Sequence, residues 1–329
     1  MGTFLSDMMP RFQAMSVTQI LDATLRMYAR HFPLLAGITA VAFVPYYLFV
    51  ILVLAVAQSS EPGLMTSLAT LVMGLGLLVI FFVLSPLSIA ATLVAVSERY
   101  LDRPVSILSA FRMALQRFLH IFLAYMLLGL MTGAVLIVGV MLVSAVVLGG
   151  SAIGGGGGFF FMLVFGTALG VAMTVGIIAL FVIFSMMAPA VLLEQLNAIE
   201  AMRRSIELTR DNRVKIFAVF AVLYVVIFVA QLALMLVAVL VFGLEAAQDP
   251  IVSQVVQLLG SLVATPLFYT SVVFVYYELR IRKEAFDLDY LSRSLDAMEG
   301  KASPPTPDVR GGEQPDETPA SAPSRGIEL

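Results

Sequence analysis

Six stretches of the chain are almost unbroken hydrocarbon, at about 34–57, 68–96, 119–148, 158–192, 214–244 and 252–279. A helix needs roughly 20 apolar residues to cross a hydrocarbon core of about 30 Å. The pattern therefore predicts six transmembrane helices. The fourth stretch, about 35 residues long, would extend roughly 52 Å at about 1.5 Å per residue. It is expected to tilt, bend or project beyond the bilayer. Pro45, Pro86, Pro189 and Pro266 lie inside four of the stretches. Each removes a backbone donor and should kink its helix.

Three of the intervening segments are amphipathic rather than apolar. In the first, Ile20, Leu21, Leu25, Tyr28 and Phe32 recur at helical spacing opposite Asp22, Arg26 and Arg30, and Pro33 separates this helix from the first span. The second sets Ile107, Leu108, Phe111, Leu115 and Phe118 against Ser109, Arg112 and Arg117. In the third, Ile199, Met202 and Ile206 oppose Glu200, Arg203, Arg204, Glu207 and Arg210. Helices of this kind lie in the membrane interface. Each precedes an outward span, a short loop without Lys or Arg, and a returning span with a proline: Pro86, Pro189 or Pro266. Counted from Ile20, Ile107 and Ile199, the unit predicts a three-fold internal repeat of about 90 residues.

Charge gives this array a direction. All 19 Lys and Arg residues fall before the first span, in 98–118, in 194–216, or from Arg280 onward. The alternate loops, near 58–67, 149–158 and 245–250, carry none. Lys and Arg accumulate in cytoplasmic loops, so both termini are expected in the cytoplasm and the chain in the plasma (inner) membrane. Composition agrees. The chain is 60% hydrophobic and 12% charged, against roughly 45–50% apolar and about 25% charged for soluble domains. The expected class is an all-α polytopic membrane protein. It comprises a short N-terminal segment (1–15), a six-span domain (16–300) and a disordered, Pro-rich and acidic cytoplasmic tail (301–329). Leu288, Leu291, Leu295 and Met298 suggest one last short amphipathic helix. Residues 1–15 lack the apolar core of a signal peptide, and Gly154–Gly158 read as a flexible connector because no Lys or Arg lies near for a phosphate cradle.

Candidate chemistry is sparse. The chain has no cysteine, which excludes disulfides and thiolate metal sites, and only two histidines, His31 and His120, neither with metal-ligand neighbours at suitable spacing. Intramembrane ionisable groups are the default pointer to function in such a protein, and the middle of every span lacks them. Glu98, Glu194 and Glu278 sit at inner ends, where Glu278 is spaced to pair with Arg282 and Glu194 with a base of the following helix. No catalytic residue, metal or cofactor is expected, and nucleic acid is not an expected partner. Gly129–Gly133 and Gly166–Gly170 are small-residue motifs that predict close packing of the third and fourth spans, or a dimer contact.

Several of the basic segments carry a family resemblance. They include Ile20-Leu21-Asp22-Ala23 with Tyr28 and Phe32, and Ser97-Glu98-Arg99-Tyr100 before Pro104. Ala188-Pro189-Ala190-Val191-Leu192-Leu193-Glu194, leading to Ala201-Met202-Arg203-Arg204-Ser205-Ile206-Glu207-Leu208-Thr209-Arg210, is the most specific. Tyr276-Tyr277-Glu278-Leu279-Arg280 closes the set. Over roughly 16–295 the chain resembles the bacterial membrane domain that precedes some glycerophosphoryl diester phosphodiesterases and also stands alone. The resemblance implies a six-helix membrane module and no activity, because the family's catalytic barrel is a separate soluble domain.

Two functions remain open on these grounds. One is a non-catalytic module that organises partners or anionic lipid at the cytoplasmic face, with Arg112, Arg117, Arg203, Arg204 and Arg210 as candidate contacts and a membrane-protein partner in view. The other is a transporter or lipid-translocating permease, with a mid-membrane cavity lined by Gln231, Thr265, Pro266 and Tyr269.

Overall fold

The computed structural model describes residues 15–59, 63–247 and 249–284. The acidic tail, the helix expected near Leu288–Met298 and nearly all of the N-terminal segment lie outside the described residues. Among the described residues every regular element is a helix: α1 (Val17–Ser59), α2 (Leu64–Tyr100), α3 (Ile107–Gln116), α4 (Phe118–Ile153), α5 (Gly155–Phe184), α6 (Met187–Leu193), α7 (Ala198–Thr209), α8 (Arg213–Phe242), α9 (Leu244–Ala247) and α10 (Pro250–Glu284). Six helical stretches are long and apolar enough to cross a membrane. The protein is an all-α polytopic membrane protein, and the order of amphipathic helix, span and returning span recurs three times.

The local breaks follow from the sequence. His31 leaves helical geometry at φ −117° and ψ 18°, two residues before Pro33. The missing proline amide leaves the carbonyl of Ala29 without its helical donor. This divides α1 into an amphipathic stretch and a span. The expected fourth span is also divided, between α5 and α6. Here Ser205 of α7 enters the break: its Oγ donates to the Ile183 carbonyl at 2.7 Å and accepts from the Met186 amide at 3.2 Å. Pro189 offers no amide to continue the ladder through this turn.

The glycine-rich connector is a correction to the sequence reading. It is a tight corner between two long helices, with Gly154 at φ +70° and Gly155 at φ +56°. Side chains rarely adopt such angles. Beside it, a Cβ on Gly158 would collide with the Gly150 carbonyl oxygen. The glycines let α4 and α5 touch backbone to backbone at the turn. The expected packing of the third and fourth spans through their small-residue motifs is a second correction. Nothing lies within 4 Å of a Cβ built on Gly129, Gly133, Gly166 or Gly170. The close contacts between α4 and α5 are made instead by Gly139 beneath Met173 and by Gly150 beneath Met162. The helices cross on a different face from the one the motifs mark.

The core sits toward the end of the molecule that carries the basic segments. Residues 88–97 of α2 and 270–279 of α10 are buried without interruption, as are 187–191 of α6. A helix buried all round is a core helix. In each unit it is the returning strand of the hairpin, at or beyond its proline, that fills the centre. The outward helices α1, α4 and α8 lie around it, burying Leu35, Ile38, Ile121, Ala124, Val219 and Leu223. α1 and α10 make the most extensive interhelical contact. Tyr28 donates to the Val263 carbonyl at 3.2 Å, and the Tyr47 and Ser261 hydroxyls are 3.0 Å apart. Val263 is three residues before Pro266, where the helix can open a carbonyl to an outside donor.

The three amphipathic segments bury mainly small or polar side chains, together with Ile20 and Leu208, and leave several of the large apolar ones outside the bundle. α3 buries Ala110 and Ala114 while Leu108 is 72% and Leu115 57% exposed. α7 buries Ala201, Ser205, Leu208 and Thr209 while Ile199 is 59% exposed. The first stretch of α1 buries Ile20 and Thr24 and exposes Leu25 and Phe32. In a bilayer this is the favourable solution. Small residues bring backbones together, and acyl chains solvate the large apolar groups at no hydrophobic cost.

Candidate functional site

The polar groups of the described residues concentrate at the basic end, where the last turns of α10 gather side chains from all three units. Glu278 is the deepest, at 1% exposure. Its carboxylate accepts from Lys215 Nζ of α8, from Arg282 Nε one turn on, and from the Met15 amide, each at 2.5 Å. Lys215 also donates to the Met15 carbonyl at 2.5 Å. The pair Glu278–Arg282 follows from their spacing. Lys215 and Met15, 63 and 263 residues away, could not be placed from local pattern.

A second network lies beside it. Glu194, after α6, accepts from Arg204 Nε at 2.8 Å and from the Tyr276 hydroxyl at 2.6 Å. Arg204 also reaches Glu284, and Glu207 at 3.5 Å. Glu284 in turn accepts from Arg280 at 2.9 Å, whose guanidinium lies 5.9 Å from the centre of the Tyr276 ring. Burial disfavours the Arg204 charge, but hydrogen bonds to Glu194 and Glu284 outweigh it and hold the group above its ordinary pKa. At the rim, Lys283 donates to Asp211 at 3.0 Å and to the Glu207 carbonyl at 2.7 Å. Its hydrogen bond holds the Asp211 carboxyl below the usual range. Ser97 and Tyr277, with hydroxyls 2.6 Å apart, and the stacked rings of Tyr100 and Tyr277 join α2 to α10.

This arrangement sorts the candidate arginines. Arg204 is committed to three carboxylates. Arg117 donates to the backbone carbonyl of Gln195 at 3.2 Å and to its Oε1 at 2.6 Å, linking the second unit to the third. Arg112, Arg203 and Arg210 are exposed, and no ion pair joins them to another described residue. They extend from α3 and α7, alongside the exposed Leu108, Leu115 and Ile199. A cation and a large apolar side chain thus share the outer face of each helix, the combination that suits a headgroup region.

The other four candidates do not share one place. Gln231 lies on α8 with its carboxamide against Gly260. Thr265 is half-buried and Pro266 is buried within α10. Tyr269 packs edge-on to Phe268. A groove of about 620 Å³ does exist, at the end opposite the basic network. Ala57, Thr66, Thr70, Gly74 and Leu78 line it. Among the described residues no group of three or more His, Asp or Glu is placed to hold a metal ion.

Residues 15–279 match a family model described as a domain of unknown function (DUF7847). No curated protein and no solved structure matches the chain.

Proposed function

We propose that this chain, which belongs to the DUF7847 family, is a non-catalytic membrane module that gathers anionic lipid at the cytoplasmic face of the plasma membrane. The observation that carries the reading is the division of labour among the basic residues. Lys215, Arg204, Arg280 and Arg282 neutralise buried or half-buried carboxylates, and Arg204 ties the second unit to the third through Glu194. Arg112, Arg203 and Arg210 do none of this. They stand exposed beside large apolar side chains on helices that the bundle holds rigidly by their small faces. Cations placed in this way neither stabilise the fold nor line a path through it. They are placed to attract phosphate headgroups.

The orientation follows from the loop charges, since basic segments remain on the cytoplasmic side. Partners of the module, whether lipid or a membrane protein, would meet it on this face. The proposed kinship with phosphodiesterase membrane domains accords with such a role, because there too the module would carry no catalytic group.

The test is the triple substitution Arg112→Gln, Arg203→Gln, Arg210→Gln in nanodiscs of mixed phosphatidylglycerol and phosphatidylcholine. Each basic group near an anionic surface contributes about 1 kcal/mol, so enrichment of phosphatidylglycerol around the protein should fall by up to about 100-fold at low salt. The wild-type enrichment should itself weaken as salt shortens the Debye length toward about 8 Å at physiological ionic strength. Unchanged enrichment in the triple variant refutes the proposal.

A further inference from the structure

The chain leaves α10 beside a helix whose outer face is open. Ile199, Arg203 and Ile206 of α7, and Arg210 at its end, are exposed. They are spaced four, three and four residues apart, so they form one stripe that alternates a large apolar group with a cation. That spacing is the one by which a helix offers a seam to a second helix. The opposite side of α7 is engaged in the bundle, with Ala201, Ser205 and Leu208 buried. α10 ends against the same helix. Its last residue, Glu284, pairs with Arg204, and Lys283 donates to the Glu207 carbonyl and to Asp211. The chain beyond residue 284 therefore starts beside α7, and a connection between packed helices needs only about 2–8 residues.

The next stretch of sequence complements that stripe. Leu288, Leu291, Leu295 and Met298 are three, four and three residues apart, the same seam spacing. Asp287, Asp289, Asp296 and Glu299 accompany them, against one cation, Arg293. At helical spacing Asp287 and Glu299 flank the apolar seam and Arg293 falls on the far side. A basic amphipathic helix is drawn to an anionic membrane surface, whereas an acidic one is repelled from it. Lengths agree as well. α7 has 12 residues, about 18 Å at about 1.5 Å per residue, and positions 288–299 would give a helix of equal length.

We propose that residues 285–299 dock as an acidic amphipathic helix on the exposed stripe of α7, with their carboxylates on Arg203 and Arg210, and that anionic lipid competes for the same two arginines. The competition rests on the lipid-facing reading of the basic end, and the docking does not. A short tether holds such a segment at an effective concentration on the order of millimolar. Docked, it takes Arg203 and Arg210 away from headgroups and leaves Arg112 of α3 open. A rise in the density of anionic headgroups displaces it, so the segment grades how strongly the module holds lipid.

The test uses the full chain in two arms. In neutral detergent, Arg203→Lys and Arg210→Lys keep the charge and supply amines that a carbodiimide joins to carboxylates in contact. Mass spectrometry of the linked peptides should find Asp287, Asp289, Asp296 and Glu299 at least about fivefold more often than Glu313, Asp316 and Glu317, which lie on a longer tether. Adding Leu291→Ser and Leu295→Ser keeps every carboxylate but removes the seam, and should lower the yield about fivefold or more. Phosphatidylglycerol added to the detergent should lower it too. In the second arm, Asp287→Asn, Asp289→Asn, Asp296→Asn and Glu299→Gln together should raise phosphatidylglycerol enrichment in the mixed nanodiscs by up to about 30-fold, as two arginines are freed. Links no more frequent to 287–299 than to 313–317, or indifferent to the two serines, overturn the docking. Links that persist undiminished in phosphatidylglycerol, or enrichment unchanged in the quadruple variant although wild type enriches the lipid, overturn the competition. If wild type enriches no phosphatidylglycerol, the lipid reading fails by itself, and the cross-links in detergent still decide the docking.

Discussion

Glu278→Gln tests whether the inner network holds the bundle together. The substitution preserves shape but removes the negative charge that Lys215, Arg282 and the Met15 amide share. Glu278 is 1% exposed, and the side chains of Lys215 and Arg282 are 20% and 42% exposed. Removing one member of a buried pair leaves the others uncompensated and costs about 3–5 kcal/mol. Lys215 lies at the buried end of that range, while solvent relieves part of the penalty at Arg282. A loss of about 3 kcal/mol is therefore expected. At roughly 2–4 °C per kcal/mol, the apparent midpoint in detergent should fall by about 6–12 °C. Adding Lys215→Met to Glu278→Gln removes the orphaned ammonium and should restore a substantial part of the loss, because an apolar replacement of a buried pair is often neutral. The control is Arg26→Gln, whose partner Asp22 is exposed. Exposed pairs contribute about 0.2–1 kcal/mol, so that midpoint should barely move. The reasoning fails if Glu278→Gln is no more harmful than Arg26→Gln, or if Lys215→Met makes the double variant worse than the single.

Two further outcomes follow from the hairpins. Gly158→Ala should destabilise by about 1–3 kcal/mol, since its methyl group would strike the Gly150 carbonyl, whereas Gly166→Ala should be neutral or slightly stabilising because nothing lies within 4 Å; midpoints of both variants in the same detergent check this. Ser205→Ala strips the Met186 amide and the Ile183 carbonyl of their partner at the break between α5 and α6, and thermal unfolding should show a loss of about 1–3 kcal/mol.

Much of the fold was legible because the bilayer imposes a simple rule. Apolar length and the placement of Lys and Arg predicted six spans, and the element order predicted the three units. Pro33 marked the bend in α1. Leu108, Leu115 and Ile199 read as the apolar stripes of interfacial helices, but the inner faces of those helices were not legible. In water a large apolar side chain gains most from burial; beside a membrane that gain vanishes, and Ala110, Ala114 and Ser205 take the inner face. Gly129 and Gly166 misled for a related reason. A small-residue motif marks a surface where helices can approach closely, and only the rotation of both helices decides whether they do. At the basic end, local spacing identified Glu278 with Arg282 and suggested a partner for Glu194. It could not identify Tyr276, Lys215 or Met15, which converge only when separate units pack.

The union of Met15 with Glu278 has a consequence for how the chain is made. The two residues are 263 positions apart. Ribosomes add about 5–20 residues per second, so α1 enters the bilayer roughly 13–50 s before α10 is available to cover it. During that interval Ile20, Leu35 and Ile38 face lipid or an insertion factor, and Lys215 emerges without its carboxylate. The bundle closes when its final segment joins α2 and α6 at the centre. A chain released before α10 would therefore lose the element on which the earlier helices converge, and premature termination should mark it for proteolysis even though its other five spans are intact.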